Sequence, residues 1–317
     1  MGRPDFLVVG AGVTGLTTAV YLAERQHSVH LVADRLPTRT TSAAAGASWG
    51  PYLVNDPEMI HWSDVTLKEL ESLCGDPRTG VRLVSGLEVS GDAGGPPEWA
   101  KKIRDYQPCS EEELDTYRPR YQTGWRYTIP LLDMPVYLDY LTQRFRAAGG
   151  TADFDRHVAS FDDLLGEAGC LINCSGVGAR DLVPDDSVFP VRGQLLVVEN
   201  PGLEEFFQDN GYGEDLTYIF PHGSHVVLGG CATEYAESWA PAEDTARRIF
   251  ERCVSIRPKL SGATVIEHRV GLRPSRKEVR LELTDRNGTP LIHNYGHGSV
   301  GVSLSWGCAE TVGHLIE

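Results

Sequence analysis

The apolar run from Asp5 to Val9 leads straight into Gly10-Ala11-Gly12-Val13-Thr14-Gly15, and Leu16, Ala19, Val20 and Ala23 then recur at helical spacing. Strand, glycine turn and helix therefore follow one another. A second apolar run, Ser28 to Ala33, ends in Asp34, close to the distance at which a dinucleotide-binding unit carries its acidic residue. In such a unit Gly10 permits the tight turn, Gly12 lets the backbone approach a pyrophosphate, and Gly15 lets the helix pack close to the strand. The helix N-terminus favours the phosphate charge. Asp34 is placed to accept hydrogen bonds from an adenosine ribose, and the pattern commits the start of the chain to a Rossmann-like unit.

The length of 317 residues allows one large domain or two medium ones. A formal net charge of -15 argues against nucleic-acid and anionic-membrane partners, which need clustered positive charge, and leaves small molecules as the expected ligands. Met1-Gly2-Arg3-Pro4 runs into a strand without the pattern of a signal peptide, and no apolar stretch is long enough to span a bilayer, so a cytoplasmic location is expected. Seven cysteines without a Cys-x-x-Cys pair suit a reducing compartment. His293 and His297 fall in a glycine-rich stretch, and His222 and His225 lack a nearby acidic partner set in sequence, so no metal site is expected.

Two later stretches favour FAD over NAD. Leu171-Ile172-Asn173-Cys174-Ser175-Gly176 is an apolar strand ending in small residues that allow close passage of a cofactor. The glycine-rich run Asn294 to Gly301 precedes a segment that is helical from Val302, whose N-terminus suits the charge that collects on a reduced flavin. Thr40 to Gly46 is small and polar, fit to wrap a cofactor or form a loop. Asp133 is a candidate helix cap ahead of Pro135. Short strands at Gln194 to Val198, Tyr218 to Phe220, His225 to Leu228 and Glu278 to Leu283 suit an antiparallel sheet, with one helix near Ala242 to Ile256. The expected class is α/β, α+β overall. A discontinuous FAD-binding domain (1–52, 133–185 and 265–317) carries an inserted, mainly antiparallel substrate domain (53–132 and 186–264). Arg273, in Gly271-Leu272-Arg273-Pro274, offers the planar fork that grips a carboxylate at two points, and the Tyr218 hydroxyl is a second donor for it.

Val8 to Leu16, Ala33-Asp34-Arg35, Thr40-Thr41-Ser42 with Ala44-Ala45-Gly46, and Asn173 to Val177 are followed by Arg192-Gly193-Gln194, Tyr218-Ile219-Phe220-Pro221, Gly271 to Pro274 and His293 to Gly298. In that order they resemble the D-amino-acid oxidase family, related to D-aspartate oxidase and glycine oxidase. The resemblance implies non-covalent FAD, with Cys308 a small buried residue rather than a tether. It assigns the cofactor to Gly10, Ala11, Gly12, Val13, Thr14, Gly15, Asp34 and Arg35, and to Thr40, Thr41, Ser42, Gly46, Val158, Ser175 and Gly176. Arg273, Gly298, Ser299, Gly301, Val302 and Ser303 complete the set. It makes Arg273 and Tyr218 the carboxylate ligands and the Ser299 carbonyl the acceptor for the substrate amine, with Phe220, Tyr212 and Trp49 around the side chain.

The implied reaction is hydride transfer from Cα of a D-amino acid to flavin N5, giving a 2-oxo acid, ammonia and, with dioxygen, hydrogen peroxide. A homodimer is left open. An oxidase or dehydrogenase of glycine or N-methyl amino acids, and a flavin binder without turnover, are the alternatives. The lid stretch Asp209 to Asp215 is short, which suits release with little gating. Its acids, with Glu204 and Glu205, favour neutral or basic substrates over acidic ones.

Overall fold

The computed structural model describes residues 2–52, 56–209 and 215–316. Strand β1 (Phe6–Val9) is wholly buried and turns through the glycines into helix α1 (Val13–Glu24), which returns the chain to β2 (Val29–Val32). Helix α2 (Pro57–Leu73) starts where the Asp56 carboxylate accepts from the Glu58 amide and Pro57 takes a position that needs no donor. There follow β3 (Val81–Ser90), β4 (Gln107–Pro108), α3 (Glu111–Asp115), β5 (Thr123–Leu132), α4 (Met134–Ala147), β6 (Thr151–Asp153), β7 (Cys170–Asn173) and α5 (Ala179–Leu182). The second half comprises β8 (Phe189–Glu199), β9 (Phe206–Asp209), β10 (Asp215–Pro221), β11 (His225–Cys231), β12 (Thr233–Glu234), α6 (Glu243–Ile256), β13 (Val265–Arg286), β14 (Thr289–His297) and α7 (Gly301–His314).

These strands join in one sheet, ordered β4-β5-β3-β9-β10-β11-β8-β13-β14-β7-β1-β2-β6, with β12 beside β8. The end from β14 to β6 is parallel throughout, as a nucleotide-binding unit requires. The middle, from β10 through β11 and β8 to β13, is antiparallel. Strand β13 couples the two: its first half pairs with β8 and its second with β14. Val8 and Ile172 of the parallel strands and Leu16 and Val20 of α1 are fully buried in the larger core. Ile249 and Cys253 of α6 close a second core over Leu196, Ile219 and Leu228. Burial of each such aliphatic side chain contributes about 1.5–3 kcal/mol.

Three local expectations change. The strand predicted at Glu278 to Leu283 is part of the 22-residue β13, because partners on both sides prolong it. Asn294 to His297 end β14 rather than opening a loop, since the chain pairs with β13 as far as His297. Asp133 precedes α4 but gives no side-chain cap; its carboxylate lies 3.5 Å from His225 Nε2, so His225 does have an acidic neighbour. No helix among the described residues is long and apolar enough to cross a membrane.

Candidate active site

A cavity of about 1480 Å³ runs from the carboxyl ends of β1, β2 and β7 to the faces of β9 and β10. Pockets for drug-sized molecules are typically about 300–1,000 Å³, so this one suits a large ligand with a smaller one beside it. Its first end is built by the glycine turn. Gly10 has φ 112°, and a Cβ there would stand 2.3 Å from the Cys174 carbonyl oxygen. Gly15 lies behind the cavity wall, where a Cβ would meet the Gly10 carbonyl oxygen at 1.9 Å. Ser42 Oγ accepts from the Val13 amide at 2.9 Å, while the amides of Gly12 and Thr14 find no acceptor among the described residues.

Ala11, Gly12, Val13, Thr14, Asp34, Arg35, Thr40, Thr41, Ser42, Gly46, Val158, Ser175 and Gly176 all line this space. Asp34 pairs with Arg35 at 2.9 Å, which holds its carboxyl below the usual range. Arg35 also lies 5.5 Å from the Trp239 ring. Thr41 Oγ1 donates to the Leu272 carbonyl and accepts from the Leu272 amide, at 3.0 and 3.2 Å. That clasp fixes the cofactor-facing loop to the strand that carries Arg273. The turn Gly298-Ser299-Val300 and the first residues of α7, Gly301, Val302 and Ser303, form another wall. The Gly50 amide donates to Ser303 Oγ at 3.1 Å. Two positive helix ends, of α1 and α7, thus line one cavity, and each favours negative charge.

The second end holds Arg273 and Tyr218. Arg273 Nη1 donates to the Cys231 carbonyl at 3.0 Å, and the guanidinium lies over Gly193, where a Cβ would approach within 2.6 Å. Arg35, Arg156 and Arg180 of the lining pair with Asp34, Glu167 and Glu237, but Arg273 has no carboxylate partner among the described residues. The Tyr218 ring is surrounded by Gly46, Gly229 and Gly230, and a Cβ at Gly229 would stand 1.8 Å from it. It stacks on Phe220 at 4.8 Å and 18°. Burial pushes its phenol up to about 12 against the opposing pull of Arg273, so the hydroxyl stays a proton donor at neutral pH.

The sequence matches the family described as FAD dependent oxidoreductase over residues 5–315. The chain belongs to that family. It is 48% identical to the D-amino-acid oxidase of Rubrobacter xylanophilus over 312 residues, covering 98% of this chain and 94% of the relative. It is 42% identical to the D-amino-acid oxidase of Streptomyces coelicolor (98% and 96% covered) and 37% identical to human D-aspartate oxidase (100% and 96% covered). The structure of glycine oxidase from Geobacillus kaustophilus superimposes with a TM-score of 0.82 at 19% identity, covering 100% of this chain and 95% of that one. That likeness shows the fold. The cofactor of this oxidoreductase is FAD, and its site fits: Gly10 and Gly15, where a Cβ would strike backbone, let the turn and α1 close tightly on β7, and the amides of Gly12 and Thr14, without an acceptor among the described residues, are donors for a pyrophosphate.

Other parts of the oxidoreductase differ from what its sequence suggests. Trp49 does not line the cavity; it is 1% exposed, its indole donates to the Ser63 carbonyl at 3.0 Å, and it packs edge-on against Trp99. The wall there comes from Ser48, Gly50, Tyr52 and Trp99, because a Trp49 ring turned inward would abandon that buried bond. Tyr212 lies outside the described residues. Of the acids around the short lid, Glu205 pairs with Arg126 and Asp215 with Arg252 away from the cavity. Asp209 accepts from the Thr217 amide and the Tyr121 hydroxyl.

Sequence reasoning misses Glu88, Gln208 and Tyr52 as a group, since they stand on separate elements and form no motif. Glu88 is fully buried, and its Oε2 accepts from Tyr127, from Gln208 at 2.6 Å and from Tyr52 at 3.3 Å. Its Oε1 has no partner among the described residues. Burial outweighs the three donors and raises its carboxyl to about 7 from an ordinary 4.5. Between those values the unfolded chain releases the proton that the folded one keeps, so this group's contribution falls as pH rises from about 4.5 to about 7 and is level above. At about 1.4 kcal/mol per unit the loss is roughly 3 kcal/mol. Glu88→Gln is therefore expected to raise Tm by several degrees over the parent at pH 8 and by much less at pH 5. Thermal melts of the flavin-loaded protein at both pH values check this; an equal difference at both would show that Glu88 does not titrate there.

Proposed function

We propose that this protein is a D-amino-acid oxidase, converting D-amino acids to 2-oxo acids, ammonia and hydrogen peroxide. The observation that carries the reading is the Arg273 guanidinium, without a carboxylate partner among the described residues, beside the Tyr218 hydroxyl at the end of a cavity whose remainder fits FAD. The two relatives named D-amino-acid oxidase, matched over nearly the whole chain, support it.

Arg273 binds the substrate carboxylate with two parallel N–H donors, and Tyr218 adds its O–H. The Ser299 carbonyl, in the turn before α7, accepts from the substrate amine. Three fixed points leave one enantiomer able to present its Cα hydrogen to the cofactor. FAD, when bound, would supply the two-electron acceptor, with dioxygen as the final oxidant, and water would hydrolyse the imino acid to the 2-oxo acid and ammonia. Positioning carries much of the rate, because no step asks a side chain to remove the Cα hydrogen as a proton. Gly10 to Thr14, Asp34, Arg35, Thr40 to Ser42, Gly46, Val158, Ser175 and Gly176 hold the cofactor, with Gly298 to Ser303 at its flavin end. Phe220 faces the substrate. Neutral and basic side chains are favoured over acidic ones, since no lining cation of the described residues besides Arg273 is placed at the substrate end. The same reading takes 1–52, 133–185 and 265–317 as the FAD-binding domain and the rest as the substrate domain, and the cytoplasm as the place of action.

The test is the anaerobic absorbance spectrum of the purified protein before and after D-alanine, with L-alanine as control. The flavin bands are expected to bleach with the D isomer alone. Bands that neither isomer bleaches would overturn the assignment.

A further inference from the structure

Strand pairing sets a row of polar side chains leading away from the carboxylate site. Tyr218 of β10 stands opposite Gln208 of β9, and Gln208 opposite Glu88 of β3. Directly opposed residues share a sheet face with Cβ atoms about 5 Å apart. The row therefore runs from the hydroxyl that meets the substrate carboxylate, through Gln208, to a buried carboxylate that does not itself line the cavity.

The orientation of Gln208 decides what the cavity offers at that point. Its Nε2 lies 2.6 Å from Glu88 Oε2 and 2.8 Å from the Tyr127 hydroxyl, and it also meets the Tyr52 hydroxyl. At pH 8.5, where Glu88 is ionised, a flipped amide would set its oxygen against the carboxylate, so the nitrogen stays on Glu88. Gln208 is 6% exposed, it lines the cavity, and its Oε1 has no partner among the described residues. An acceptor that faces the cavity is open to a donor on a ligand. Behind it, Glu88 adds negative charge in a dry setting where charge is weakly screened.

We propose that Gln208, held by Glu88, is the specificity element for the substrate side chain, and that it selects D-amino acids whose side chain carries a distal ammonium or guanidinium. Gln208 accepts the cation's N–H directly. Glu88 acts through it as a positioning residue and supplies charge. A carboxylate-bearing side chain meets an acceptor and a buried negative charge instead of a donor, and is rejected.

The proposal rests on the substrate carboxylate being seated by Arg273 and Tyr218, so one arm of its test needs no turnover. 6-Aminohexanoate and hexanoate carry a carboxylate without an α-amine, and differ by the distal ammonium. Perturbation of the flavin spectrum of the loaded protein at pH 8.5 gives the affinity of each. The parent is expected to favour 6-aminohexanoate, and Glu88→Gln and Gln208→Met each to lower that preference about tenfold, equivalent to about 1.4 kcal/mol. In the second arm, the ratio of kcat/KM for D-lysine to that for D-alanine falls by a similar factor in both variants, and the ratio for D-glutamate rises. Gln208→Met keeps the side-chain length and leaves the buried carboxylate in place, which guards against a folding defect in Glu88→Gln. Ratios that move less than about twofold in both flavin-loaded variants overturn the proposal. Failure of the parent to oxidise D-alanine counts against the oxidase reading alone, because the binding arm still decides this one.

Discussion

Replacing Arg273 by leucine is expected to lower kcat/KM for D-alanine by about a hundredfold to several thousandfold while leaving FAD content unchanged. Removing one partner of a buried charge pair costs about 3–5 kcal/mol, because the other charge is left without compensation. Each 1.4 kcal/mol is about tenfold. In the parent the guanidinium is already oriented: Cys231 accepts from Nη1, and the glycine at position 193 leaves room for the planar group to lie flat. No carboxylate of the described residues competes for it, so the full interaction is free for the substrate. Arg273→Lys keeps the charge but loses the fork, and should recover only about one of the two to four decades lost. A simple amine such as ethylamine, which has no carboxylate, supplies the control. Its slow oxidation should be the same in parent and Arg273→Leu, because the missing contact was never made. Steady-state peroxide release with both substrates checks this, beside the flavin spectrum. An equal loss on ethylamine would mean that Arg273 serves the fold or the cofactor rather than the carboxylate.

Arg273 was legible because its neighbours form a contiguous pattern, and the same holds for the glycine turn. Local chemistry wrote both: a tight turn needs Gly10 and a helix packed close needs Gly15, so sequence distance and spatial distance coincide. Tyr218 needed more, since a lone tyrosine is ordinary, and only its order relative to Arg273 marks it. Glu88 and Gln208 were not legible at all. They are 120 residues apart, and only the parallel pairing of β3 with β9 brings them together. Trp49 failed for the opposite reason: its sequence context points to the pocket, but the Ser63 carbonyl, on α2, decides which way the indole faces. The acids of the lid suggested neutral or basic side chains over acidic ones, but Glu205 and Asp215 are spent on Arg126 and Arg252, and of the described lid acids Asp209 alone lines the cavity. The proposed role of Gln208 and Glu88 gives that preference a different basis, the buried carboxylate behind Gln208. What the pattern of residues conveys is local geometry; what it withholds is which strands become neighbours.

The cofactor end permits an equally sharp expectation. Gly15→Ala should leave a protein purified with depleted flavin and weaken FAD binding by up to about a hundredfold. A Cβ at Gly15 would stand 1.9 Å from the Gly10 carbonyl oxygen, a backbone atom that has nowhere to retreat. Gly10 is itself fixed, because its amide donates to the Val32 carbonyl at 2.9 Å and its φ of 112° admits no side chain. Helix α1 must then move off the turn, which withdraws the unpartnered amides of Gly12 and Thr14 from a pyrophosphate. Overpacking in a rigid setting costs about 1–3 kcal/mol, and the upper figure corresponds to about a hundredfold in affinity. Gly94→Ala is the control: it lies in a loop where nothing stands within 4 Å of the added Cβ. Flavin-to-protein absorbance ratios, and fluorescence titration of apoprotein with FAD, read the difference. A Gly15→Ala protein that keeps stoichiometric FAD would mean that the phosphates are held elsewhere than at the start of α1. The two variants also separate the two ends of the cavity, since Arg273→Leu should bind FAD and fail on carboxylate substrates, whereas Gly15→Ala should lose activity only as far as it loses FAD.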